Sequence, residues 1–269
     1  MKSTSTLVIV LMLLLGASSP VQSADGIYKD PDQPIERRID SLLSQMTLQE
    51  KVNQLLSNYV KLAEADDGTL SIDPTFREQL EQGLGSVQYV NLKLDAAQDA
   101  DFSNRIQRHV QENTRLGIPV LLEGEALHGL IAHKATTFPQ AIALASTWDP
   151  SLVNRVYTRA ALQARSRGNH VMFTPVLDLA RDPRWGRMEE TYGEDVYLVT
   201  QMGLAATTGL QGGGELVGSD HVVSAPKHFA GYGQADGGRN FAPTSIPPRI
   251  FHEEILEPFR QVVSQAHVW

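Results

Sequence analysis

Three stretches of this 269-residue chain concentrate side chains that can bind a hydroxyl-rich ligand. Glu125 lies in Leu122-Glu-Gly-Glu-Ala-Leu-His-Gly129, straight after an apolar run, where a carboxylate can accept hydrogen bonds from hydroxyl groups. Arg184 lies in Arg-Asp-Pro-Arg-Trp-Gly-Arg (181–187), which continues into Glu-Glu-Thr-Tyr-Gly-Glu-Asp (189–195). Arginine forks paired to carboxylates make rigid, preorganised donors. Lys227 and His228 open Lys-His-Phe-Ala-Gly-Tyr-Gly (227–233), followed by Gly-Gly-Arg-Asn (237–240), where glycines let the backbone approach a ligand closely. Each stretch has a plainer reading. Glu125 alone is a solvated loop residue and His128 a packed one. The arginine-rich segment is an ion-pair network bracing a loop, and two basic residues on a loop are merely solvated. Trp185 fits packing beneath its loop better than stacking on a ligand.

Several other chemistries are excluded. With no cysteine there are no disulfides, thiol nucleophiles or cysteine zinc sites. No His-Glu-x-x-His motif occurs and the eight histidines are scattered, so no metal site is expected. Gly83-Leu-Gly85 and Gly231-Tyr-Gly233 lack the third glycine of a dinucleotide-binding turn, and no phosphate-binding loop is present. No cofactor is expected. A net charge of −8 argues against a nucleic-acid partner, which calls for a basic face. It suits a neutral ligand.

The elements that must carry these clusters alternate in type. Ile35–Ser44 reads as an amphipathic helix, and Thr47-Leu-Gln-Glu50 as a capping box opening a second helix to about Leu56. Glu64–Thr75 reads as loop. Strands are expected at Ser86–Val90, Ile118–Leu122, within His170–Leu177 and at Val222–Ala225, with a fifth beginning at Ala266–Trp269. Between them run helices at Ala96–Leu116, Pro150–Arg167, Asp195–Leu210 and Pro247–Gln265. Asp149 is placed as a cap, with Pro150 at the first helical position. Short strands alternating with long helices mean parallel βα units. All three polar clusters follow strands, as the C-terminal face of a (β/α)8 barrel requires. The expected fold is therefore α/β, a (β/α)8 TIM-barrel-like domain. A full barrel takes roughly 250 residues, and with so few strands this one reads as incomplete.

The N-terminus has the layout of a secretory signal peptide: Lys2, the apolar run Leu7–Leu15, then small residues to a cut after Ser23. The run is too short to span a bilayer as a helix. Residues 1–23 are thus expected to be removed, leaving 24–269 with no membrane association. The protein would be periplasmic or secreted, and without a cysteine at the cleavage point it cannot carry a bacterial lipid anchor.

Taken together, Glu-Ala-Leu-His-Gly (125–129), 181–195, 227–233 and 237–240, in this order, make the chain resemble glycoside hydrolase family 3, of the β-glucosidase and β-xylosidase type. The likeness runs from about Pro34 to the end. It implies a barrel domain and exo-acting removal of terminal non-reducing β-linked sugars, with glucosidase and xylosidase both open and a non-catalytic sugar-binding fragment as the alternative. It also implies that Glu125, Arg184, Lys227 and His228 contact the sugar in the −1 subsite. A retaining glycosidase needs two carboxyl groups about 5 Å apart. The family's nucleophilic Asp sits in a Ser-Asp-Trp/Tyr motif after the Lys-His-Phe segment, and here the only Ser-Asp is Ser219-Asp220, ahead of it. The nucleophile, and an acid/base Glu from a following domain, are expected beyond Trp269, so that residues 24–269 form a truncated N-terminal domain inert by itself. A hexosaminidase reading is disfavoured, since Tyr232 stands where that subgroup carries His and no Asp-x-His follows.

Overall fold

The computed structural model describes residues 24–64, 66, 70–90, 92–214 and 217–268. The expected signal peptide lies outside them, as does Trp269. The chain divides into two compact units, 1–51 and 52–269.

In the first unit a short 3-10 segment, Ala24–Lys29, precedes α1 (Ile35–Gln45), and Arg38 Nε donates to the Tyr28 carbonyl at 3.1 Å. α2 (Leu48–Asn53) follows. Its capping box is formed: the Thr47 N–H donates to Glu50 Oε2 at 2.8 Å, and the Glu50 N–H to Thr47 Oγ1 at 3.2 Å.

The second unit is built on a parallel sheet of β1 (Ser57–Tyr59), β4 (Ser86–Gln88), β5 (Leu121–Gly124), β6 (Val171–Met172) and β7 (Val223–Ser224), in that order. A small antiparallel pair, β2 (Leu62–Glu64) and β3 (Leu70–Ile72), lies outside it. The parallel strands follow one another in chain order with no reversal. That is the winding of a barrel wall, since a doubly wound sheet has a point where the order switches. Helices α3 (Pro74–Glu81), α4 (Ala96–Asn113), α5 (Ala141–Ala145), α6 (Pro150–Ser166), α7 (Val196–Gln211) and α8 (Glu257–Gln265) supply the α half. Three of the long ones start on aspartate caps: Asp95, Asp149 and Asp195.

Two apolar clusters form the core. Phe76, Leu80, Phe102, Ile106 and Val110 of α3 and α4 pack on Val87 and Leu122. Val153, Tyr157, Ala160 and Ala164 of α6 pack with Val199, Met202, Ala206 and Leu210 of α7, and with Phe259 and Val262 of α8. α6 and α7 approach closely because Gly209 has no side chain: a Cβ there would stand 2.5 Å from the Asn154 carbonyl oxygen.

Three expectations are corrected. Glu64–Thr75 is not simply loop: it contains β3 and the start of α3, which Asp73 caps. The strand expected at the chain's end does not form as far as Val268. The carbonyls of Ala266 and His267 instead accept from Gln211 Nε2 at 3.1 and 3.2 Å, and His267 turns into the left-handed region (φ 50). β1 takes the fifth place in the sheet; its Ser-Asn-Tyr sequence shows no apolar pattern because it pairs on one side only. The last expected helix is interrupted, with a π turn at Phe251–Ile255 ahead of α8.

Candidate active site

Because β5, β6 and β7 are parallel neighbours, the segments leaving their C-terminal ends emerge on the same side. Glu125 follows β5 directly. Beyond β6 the chain continues to Thr174, Asp178 and Arg184, and beyond β7 to Lys227 and His228. Short tethers hold these segments in register. The Ala126 N–H donates to Thr174 Oγ1 at 3.3 Å, and Ser224 Oγ to the Thr174 carbonyl at 2.7 Å. The Lys227 N–H donates to the Pro175 carbonyl at 2.9 Å, and the Leu177 N–H to the Lys227 carbonyl at 2.7 Å. The backbone under Lys227 is thus pinned from both sides. The Lys227–His228 and Phe229–Ala230 peptide bonds are cis.

Lys227 Nζ lies 2.8 Å from both carboxylate oxygens of Glu125. The pair is mostly shielded, with side-chain exposures of 16% for Lys227 and 28% for Glu125, yet remains open to a ligand. Burial pushes the Glu125 carboxyl above the ordinary range, and the Lys227 ammonium opposes that shift. Glu190 adds a smaller like-charge push in the same direction as burial.

His228 Nδ1 lies 2.6 Å from Oδ2 of Asp178, whose side chain is 1% exposed. The Tyr232 ring meets the imidazole edge-on at 4.6 Å between centroids. Tyr232 in turn contacts Trp185 and Phe241, and the Arg187 guanidinium lies 5.4 Å from its ring centroid. Arg187 grips Glu190 with two hydrogen bonds of 2.8 and 2.6 Å. A cavity of about 480 Å³ opens here, lined by Arg187, His228, Phe229, Tyr232, Phe241 and their neighbours.

The structure brings Glu125 and Lys227 into contact, with His228 next to Lys227 in the chain, and engages Arg184 with a local partner. Arg184 is paired with Asp182, two residues earlier, through Nε at 3.0 Å and Nη2 at 2.7 Å, and its side chain is 70% exposed. Trp185 is buried beneath the loop, as its neighbours suggested, and donates from Nε1 to Asn240 Oδ1 at 3.1 Å. The Gly-Gly-Arg-Asn stretch packs closely on the arginine-rich segment: a Cβ on Gly238 would stand 2.5 Å from that of Arg184. The sequence reading singled out none of Asp178, Arg187, Glu190 or Tyr232 as site residues. Arg187, Glu190 and Tyr232 lie inside the quoted motifs and Asp178 just ahead of the second, but no spacing rule distinguishes a carboxylate that reaches a loop fifty residues away from one that is merely solvated.

Among the described residues, no group of three or more His, Asp or Glu side chains is placed to share a metal ion, and no helix is long and apolar enough to cross a membrane.

Comparison with known proteins gives a consistent result. The family model described as glycosyl hydrolase family 3 N-terminal domain matches residues 47–269. A β-xylosidase of Formosa agariphila is 44% identical over 163 residues, covering 58% of this chain and 22% of the relative. A periplasmic β-glucosidase/β-xylosidase of Dickeya chrysanthemi is 30% identical over 225 residues, covering 78% and 34%. The solved structure of a β-glucosidase from Erythrobacter marinus superposes with a TM-score of 0.80 at 38% identity, covering 90% of this chain and 32% of that one. The chain thus spans between 22% and 34% of the length of these relatives. With its parallel strands in barrel order and its polar clusters on their C-terminal side, the chain belongs to glycoside hydrolase family 3, within that family's TIM-barrel-like N-terminal domain.

Proposed function

We propose that the protein acts in the hydrolysis of terminal, non-reducing β-D-glycosyl residues by a retaining route, and that this chain supplies the sugar-holding part of the site. Lys227 and Glu125 grip neighbouring ring hydroxyls, one as donor and one as acceptor. His228 holds a third hydroxyl. Arg184, released from Asp182, reaches the same ring. The observation that carries this reading is the Glu125–Lys227 pair, semi-exposed at adjoining strand ends beside His228. The open face leaves one donor and one acceptor side by side, able to exchange hydrogen bonds with the hydroxyls of a ligand.

Four acids on this side are each engaged with a base: Glu125 with Lys227, Asp178 with His228, Asp182 with Arg184 and Glu190 with Arg187. None of these stands as half of a free carboxylate pair, the arrangement that glycoside cleavage uses. This supports a binding role for the residues present.

The glucosidase-like reading is preferred, and a β-xylosidase is the second reading, favoured by the 44% identity to a relative of that name. We further propose that residues 1–23 are a cleaved signal peptide, that 24–269 form the domain, and that the protein is periplasmic or secreted. The Dickeya relative's periplasmic description supports this. The test is calorimetric titration of glucose and xylose into the purified chain without residues 1–23, alongside turnover of aryl β-D-glucoside and β-D-xyloside. Saturable binding of either sugar, lost in Lys227→Met, is expected. Absence of binding to a folded sample overturns the sugar-holding role, and turnover by the chain alone overturns its restriction to binding.

A further inference from the structure

Asp178 is the most deeply enclosed charged side chain bordering the site, and both its oxygens are engaged. Its Oδ2 takes the backbone N–H of His228 at 3.1 Å and faces His228 Nδ1 at 2.6 Å. Its Oδ1 takes the backbone N–H of Gly233 at 3.0 Å. The same carboxylate thus holds both ends of the 228–233 loop and the ring in between. Gly233 is itself packed onto Asp178: a Cβ there would stand 3.1 Å from that of Asp178 and 3.1 Å from the Leu179 carbonyl oxygen.

We infer that Asp178 is the positioning residue of this site: its carboxylate fixes His228 as the Nδ1–H tautomer and so presents Nε2, as a hydrogen-bond acceptor, to a hydroxyl of the bound sugar. The inference rests on the sugar-holding reading above and deepens it. The physical argument is short. A carboxylate can only accept, so the atom 2.6 Å from it must carry the proton. A neutral imidazole has one N–H, so fixing it at Nδ1 leaves a lone pair at Nε2. The Tyr232 ring, edge-on at 4.6 Å, limits rotation of the imidazole about that bond. His228 then accepts from the sugar while Lys227 Nζ donates to it. Adjacent residues discriminate a hydroxyl's two hydrogen-bonding roles, which fixes the orientation of the ring.

Asp178→Asn keeps the shape but replaces one oxygen with an amide that can only donate. Three N–H groups then compete for a single oxygen, so either the ring or the loop loses its partner. The experiment is long-range proton–nitrogen NMR of the histidine side chains in the ligand-free chain at mildly alkaline pH, with glucose and xylose titrations in parallel. The wild-type chain is expected to show His228 protonated at Nδ1. Asp178→Asn is expected to lose that pattern and at least tenfold in sugar affinity, while Asp220→Asn, at an exposed position, changes neither. An Nε2–H pattern in the wild-type chain overturns the inference even if the variant does not fold. So does a variant that keeps the Nδ1–H pattern, or one that loses it with affinity unchanged. A purely structural role for Asp178 would lower the melting temperature and leave the tautomer in place. If the wild-type chain binds neither sugar, the sugar-holding reading fails, and the tautomer measurement still decides whether Asp178 positions the ring.

Discussion

Lys227 Nζ stands 2.8 Å from each carboxylate oxygen of Glu125, across a sequence separation of 102 residues. Their strands are not hydrogen-bonded to each other: β6 lies between β5 and β7. The pair therefore spans the middle strand's C-terminal end, where a ligand seated above β6 meets both.

Removing the cation from this pair leaves a carboxylate already pushed towards its neutral form by burial. Lys227→Met is expected to raise the Glu125 carboxyl further and to cost about 2 kcal/mol, less than a fully buried pair because both groups keep some solvent. Adding Glu125→Gln should recover part of that loss. Urea denaturation of the two single variants and the double variant measures the coupling. Equal losses that simply add would show that the pair is not coupled.

Acid stability should depend on His170. Its Nδ1 accepts the Leu122 N–H at 3.0 Å, which requires a neutral ring, and burial, with Arg165 nearby, lowers its pKa to about 4 from 6.5. Between those values the unfolded chain takes up a proton that the folded chain refuses. The stabilisation is thus complete above pH 6.5 and is lost as pH falls towards 4. Discounted for the ring's partial exposure, its size is about 2 kcal/mol. Asp99 and Glu125, whose carboxyls are raised by burial, act in the opposite sense. The readout is therefore the difference in slope between the wild-type chain and His170→Asn, and identical slopes would sink the prediction.

The barrel order and the membership of the site were legible in the sequence to different degrees. A strand at the end of a mainly apolar run, such as Ile118–Leu122, announces itself. Ser57–Tyr59 does not, because it is paired on one side only and its side chains are largely exposed. Glu125, Lys227 and His228 stood out only through the motifs around them, since each alone, a few residues past a strand end, reads as a solvated loop residue. Asp178 did not stand out, since its significance lies in reaching His228 and Gly233 on another loop. Arg184 was expected beside the sugar, but local pairing satisfies it first: Asp182 caps the short turn that carries Arg184 and takes its guanidinium as well.

That pairing makes a separate prediction. Arg184 is 70% exposed, so Arg184→Ala should leave the urea unfolding midpoint nearly unchanged. If the side chain swings from Asp182 to the sugar, as proposed, affinity should nevertheless fall about tenfold, and Asp182→Asn, which loosens the competing pair, should not weaken binding. Calorimetric titration of both variants checks this. Unchanged affinity in Arg184→Ala would remove Arg184 from the site.

The most stability-critical ion pair is remote from the sugar-facing residues. Arg167 and Asp99 are 4% and 2% exposed, with Arg167 Nη1 3.2 Å from Asp99 Oδ2. Nη2 donates to the His133 carbonyl at 2.9 Å, Tyr89 Oη donates to Asp99, and Ser103 Oγ donates to the Arg167 carbonyl at 2.7 Å. The network joins α4, the end of α6 and the loop after β5 that begins at Glu125. Losing one member strands a charge where water cannot reach it, at a cost of about 3–5 kcal/mol. Arg167→Met and Asp99→Leu should each show that loss in urea denaturation. The double variant should be less damaged than either, because two apolar side chains leave no charge behind. Since His133 loses its donor in Arg167→Met, the loop bearing Glu125 should also exchange its amide protons faster, which hydrogen exchange followed by mass spectrometry would register. Losses below 1 kcal/mol in both single variants would mean that water solvates the pair and that the network does not anchor the loop.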